Sequence, residues 1–160
     1  MGVVVPSFNY AAWSAMYPEL ARASGVYPDG VPWEMNEQIA TALWTDAGLP
    51  GGYFRNDGGG PCNDLATATS ILNKITAHLA ALWIRRQRDP EMAFVVGRVQ
   101  GGGQGGVSAS IQNEYSPNSP QWWQQTEYGS DAWKQTAVYR VARYVRGHPR
   151  NMNAFWPPIG

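Results

Sequence analysis

The sequence predicts a mainly α-helical protein, a small bundle around one long central helix, with a β-hairpin insertion and an extended C-terminal tail. Three observations carry this expectation. Apolar residues recur at spacings of three and four from about Asn63 to Gln87. The pattern then alternates from Phe94 to Gln112 around a glycine run, and all periodicity is lost after Gly147. These limits divide the chain into a helical domain over 1–146, with the hairpin at about 94–112, and a tail over 147–160.

Taken in order, Ser7 is placed to cap a short helix carrying Phe8, Ala11, Ala12 and Ala15 that stops before Pro18. Pro28-Asp29-Gly30 is turn chemistry. Pro32 suits the first turn of a helix reaching about Ala47, with Met35, Ile39, Ala42 and Leu43 as its apolar stripe. Gly48 to Gly60 is too rich in glycine for regular structure.

The central helix follows. Leu65, Ala68, Leu72, Ile75, Leu79 and Leu82 form its stripe, widened by Ile71, His78 and Trp83 and ended by Asp89-Pro90. Phe94–Gln100 and Val107–Gln112 read as the hairpin strands, with Gln104 inside the glycine tip between them. A lone two-stranded hairpin is marginal in water and needs something to lean on. Ser119-Pro120 starts a short helix expected to end at Gly129, where Ser130 caps the next. Trp133, Ala137, Val141 and Tyr144 form the buried line of that last helix. Arg140, Arg143 and Arg146 recur beside it.

Charge bears on function. Twelve basic and twelve acidic residues give a formal net charge of zero, which disfavours sequence-wide DNA binding and leaves little protection against self-association. The balance hides an asymmetry. Residues 1–64 hold Glu19, Asp29, Glu34, Glu37, Asp46, Asp57 and Asp64 against only Arg22 and Arg55. Residues 134–160 hold Lys134, Arg140, Arg143, Arg146 and Arg150 with no acid. Ends of unlike sign suit head-to-tail contacts between identical copies. The arginine run suits a neighbouring subunit or a channel lining better than an isolated solvated face, because arginine is enriched at interfaces.

Catalytic patterns are missing from the sequence. Gly101, Gly103 and Gly106 spell a dinucleotide fingerprint, but a strand follows where the mechanism needs a helix. His78 and His148 have no histidine or carboxylate at ligand spacing, and His78 reads as a core histidine rather than a base. Asp57 alone is a weak cation ligand, and Cys62 has no cysteine partner. No nucleophile elbow or phosphate loop occurs. The expectation is a non-enzyme without cofactor or metal. No charged-then-apolar leader or stretch of about 20 apolar residues is seen, so the expected place of synthesis is a cytoplasm.

Four segments carry a likeness to a known family. They are Trp13 with Tyr17-Pro18-Glu19, the run Leu72 to Leu82, Val96-Gly97-Arg98-Val99 with Gly106 to Ser110, and Trp122 with Gln125-Thr126, Tyr128-Gly129, Trp133, Thr136 and Arg140. Over about residues 8–144 the chain resembles the head–tail connector (head-completion or adaptor) proteins of tailed bacteriophages. The resemblance implies a virion protein of the neck, assembled in the bacterial host and without a membrane contact. It implies a ring of about twelve copies under the portal protein. That ring extends the channel through which genomic DNA passes and meets the next neck or tail protein. It also implies that terminal segments grip the portal, for which Phe155, Trp156, Pro157 and Pro158 are the candidates, since buried aromatics anchor interfaces. Arg98, Gln104, Arg140, Arg143, Arg146 and Arg150 are the candidates for contacts between subunits or with the channel.

Two other functions compete with this one. A tail-terminator or stopper protein of the neck would be richer in β-structure. A small DNA-binding regulator would use Tyr128-Gly129-Ser130 as a helix-turn-helix corner, with the arginines on phosphate.

Overall fold

The computed structural model describes residues 5–48, 53–57, 61–89, 99–100, 110–111 and 117–140. The fold over these residues is mainly helical. Helix α1 (Tyr10–Met16) is capped by Asn9, whose side chain accepts a hydrogen bond from the Ala12 amide at 3.0 Å. That corrects the expected Ser7 cap, and Phe8 lies before the helix. Ala11, Ala12 and Ala15 are exposed, whereas Trp13 and Tyr17 turn inward. A buried indole removes far more apolar area from water than a methyl group, so the aromatic residues set the inward face. Pro18 opens a second short helix, α2 (Pro18–Ala21), because a proline at the first helical position has no amide to leave unpaired.

Strands β1 (Ser24–Val26) and β2 (Pro32–Glu34) then pair antiparallel, with Gly25 opposite Trp33. The turn between them is the expected one. The Gly30 amide bonds the Tyr27 carbonyl at 2.9 Å, and Gly30 has φ +86°, a left-handed conformation that glycine adopts without steric cost.

Closing this hairpin places Pro32 in a strand and overturns the helix start expected there. Helix α3 (Glu37–Gly48) begins five residues later, with Asn36 accepting from the Ile39 amide at 3.0 Å. Its buried residues are Ala40, Trp44, Ala47 and Gly48. Ile39 and Leu43 are half-buried, Ala42 is exposed, and Met35 is buried ahead of the helix.

Helix α4 (Leu65–Arg88) is the long central helix the periodicity predicts. The Asp64 carboxylate caps it by accepting from the Thr67 amide at 2.7 Å. Arg85, Arg86 and Arg88 in its last turn oppose the negative end of the helix dipole, and Asp89 ends it. Leu65 is exposed, but Ala68, Leu72, Ile75 and Leu79 are buried as expected.

Both flanks of α4 are covered. Ala77, Ala80 and Ile84 pack with Trp13, Tyr17, Leu20, Trp33 and Ala40 on one side. Ile71, Ile75 and Leu79 pack with Trp44, Phe54, Trp122, Trp123 and Ala132 on the other. Trp13 joins the first side to the central helix through its indole N–H, which donates to the Asn73 carbonyl at 3.3 Å.

Strands β3 (Val99–Gln100) and β4 (Ser110–Ile111) pair antiparallel, Val99 opposite Ile111, within the two segments expected to form the hairpin. The rest of that hairpin, including Arg98 and Gln104, lies outside the described residues.

Helix α5 (Pro120–Trp123) starts at Ser119-Pro120 as the sequence indicates, the Ser119 hydroxyl accepting from the Trp122 amide at 3.2 Å. The next boundary differs. Helix α6 (Glu127–Gln135) is capped by Thr126, so Gly129 and Ser130 lie inside a helix rather than at a break. Helix α7 (Ala137–Arg140) follows. Of the expected buried line, Trp133 is half-buried against the core and Ala137 is exposed, while the buried residues of α6 are Gly129 and Ala132. Val141 and Tyr144 lie outside the described residues, as does the whole tail.

Candidate functional site

The polar centre of the fold is His78, which is fully buried on α4. Its Nδ1 lies 2.6 Å from the Thr126 hydroxyl oxygen. The same oxygen accepts from the Gly129 amide at 3.0 Å. One threonine therefore caps α6 and ties that helix to α4.

Trp122 meets the imidazole edge-to-face at 4.4 Å between centroids, and Trp123 stacks on it at 5.2 Å. Burial in this apolar box, with a smaller push from Arg85, lowers the His78 pKa to about 4. The ring is neutral at pH 7. Its Nε2 is buried and finds no hydrogen-bond partner among the described residues.

Groups of three or more His, Cys, Asp or Glu able to hold a metal ion do not occur among the described residues. The burial of His78 agrees with its place on the apolar stripe, and its contacts join α4 to α5 and to the Thr126 cap of α6.

Trp123 has a second neighbour. Its far side borders an open pocket of about 220 Å³ between the 53–57 segment, α4 and helices α5 to α7. The walls include five aromatic residues, Tyr53, Phe54, Trp123, Trp133 and Tyr139, together with Arg55 and Arg140. Tyr53 stacks on Trp122 at 4.8 Å, and Phe54 packs edge-on to Tyr139 at 5.6 Å.

Burial, with Asp46 nearby, raises the Tyr53 pKa. Tyr139 is raised by its hydrogen bond with Cys62, by burial and by the charges of Cys62 and Asp64. Two carboxylates therefore lie within electrostatic reach of the aromatic walls. A third, Asp57, pairs with Arg55 on the rim through the guanidinium Nε at 3.1 Å, so the one loop carboxylate considered as a cation ligand has an arginine partner.

Arg140 is the one candidate interface arginine among the described residues. It does not stand away from the helix. Its guanidinium lies over the Trp133 ring, 3.3 Å from the centroid, and donates to the Thr136 hydroxyl at 2.6 Å. It thereby forms part of the pocket wall. Arg98, Gln104, Arg143, Arg146, Arg150, Phe155, Trp156, Pro157 and Pro158 lie outside the described residues.

Sequence reasoning missed the pocket because three of its parts come from segments with no periodic signal. Tyr53-Phe54, two adjacent aromatics inside a glycine-rich stretch, were the available sign. Large rings in such a segment have to be buried somewhere, and here Phe54 joins the core.

Compared with protein-family models, with curated proteins and with solved structures, the chain matches none.

Proposed function

We propose that this chain is a structural subunit of the neck of a tailed bacteriophage. Identical copies form a ring on the portal protein, extend the DNA channel and present a platform to the next neck or tail protein. The observation that carries the reading is the architecture. A mainly helical fold built around one helix of 24 residues, with a two-stranded hairpin following it, is what the resemblance to head–tail adaptors implies.

The same observation weighs against a terminator or stopper, which calls for a β-rich chain. A regulator built on a corner at Tyr128-Gly129-Ser130 loses its footing, since those residues lie within α6 and Gly129 faces His78. No helix among the described residues is long and apolar enough to cross a membrane.

The ring is tested by native mass spectrometry of the purified protein, alone and with the portal assembly of the same phage. The expected result is one closed ring, of about twelve copies, bound per portal. Free subunits and an unoccupied portal at micromolar concentrations of both would contradict it.

A further inference from the structure

We propose that the aromatic pocket between the 53–57 segment and helices α5 to α7 receives the Phe155-Trp156-Pro157-Pro158 segment of a second copy of this chain. The proposal rests on the ring reading above and names one contact within it, placing this segment on the neighbouring subunit rather than on the portal.

Two observations support the match. The first is chemical. Trp-Pro-Pro favours the extended polyproline conformation, and the general receptor for such segments is a groove lined with aromatic rings. Tyr53, Trp123, Trp133 and Tyr139 supply that lining. Prolines bring carbonyl acceptors and no amide donors, so the groove has to provide the donors. Arg140 has five N–H groups and does not spend all of them on Thr136 and Trp133.

The second is reach. Fourteen residues separate Arg140 on the pocket wall from Phe155. At full extension they span roughly 50 Å, enough to leave one small domain and meet the next. Each copy then offers one pocket and one segment, a head-to-tail contact that closes into a ring when the rotation allows.

The test uses the full chain and two single variants, Tyr139→Ala in the pocket and Trp156→Ala in the segment, followed by sedimentation velocity. Far-UV circular dichroism first checks that each variant keeps its helices. Tyr139 is only half-buried, and its loss leaves α4 and its cap intact. Wild type is expected to self-associate, and each variant to do so at least tenfold more weakly. An equimolar mixture of the two is expected to regain a dimer, because one chain brings an intact pocket and the other an intact segment.

Wild type that stays monomeric, variants that associate like wild type, or a mixture no stronger than its parts would each overturn the proposal. So would a tryptophan fluorescence change that depends on Trp156 with no change in mass, which places the segment on its own chain. If the mixture fails while wild type still forms a ring on the portal, the pocket contact falls and the neck reading stands.

Discussion

Alanine at position 129 is expected to lower the stability of the protein by about 3 kcal/mol and its melting temperature by roughly 10 °C. Ordinarily a glycine inside a helix gains about 1 kcal/mol when replaced by alanine. The sign reverses here because a Cβ on Gly129 would lie 2.2 Å from the Trp123 carbonyl oxygen and 2.5 Å from His78 Nδ1. The first contact is with backbone, and the second is with a ring wedged between two indoles. Moving the His78 ring aside would break its bond with Thr126. Urea unfolding followed at 222 nm measures the change. A loss below 0.5 kcal/mol, on the scale of an ordinary surface substitution, would mean that α6 does not seat on α4 at this point.

Acid should have an effect of similar size through His78. Its pKa is about 4 in the folded chain against 6.5 for an ordinary histidine. The unfolded chain therefore binds a proton first as the pH falls, so stability is full above 6.5. It declines between 6.5 and 4 and levels off for this group below 4. The total is about 3 kcal/mol, at 1.36 kcal/mol per pKa unit. Asp64 runs separately. Its bonds to Thr67 hold its pKa below the usual carboxylate range, so its contribution is lost only at lower pH. Unfolding curves for wild type and His78→Gln at pH 7 and pH 4.5 isolate the histidine. Wild type should lose markedly more stability over that interval than the variant. Equal losses would show that His78 is not held neutral by burial.

How much of this was legible in the sequence depends on the kind of signal. The central helix was, because Ala68, Leu72, Ile75 and Leu79 recur at spacings of three and four and Asp89-Pro90 ends the run. Ser119-Pro120 was readable for the same local reason, a cap followed by a proline. Pro32 was misread because a proline fits the first turn of a helix and an edge strand equally well. The deciding fact was the pairing of Val26 with Pro32 across the Gly30 turn, which local pattern does not show.

Gly129 was misread for a related reason. Glycine usually ends helices, and only the close approach of Trp123 and His78 explains one in the interior. The pocket was illegible because its walls join residues 53–55, 75 and 118–140, which no single periodic stretch connects. Arg140 was marked as an interface residue from its spacing with Arg143 and Arg146. The structure adds that its guanidinium is laid on Trp133.

The most direct test of the central proposal is cryo-electron microscopy of virions that carry this protein, with the density between portal and tail fitted by the helical fold. The account predicts a ring there, each subunit showing the 24-residue α4 packed against both α3 and α6. Virions whose neck holds no such ring, while the protein is made in infected cells but left out of particles, would contradict it.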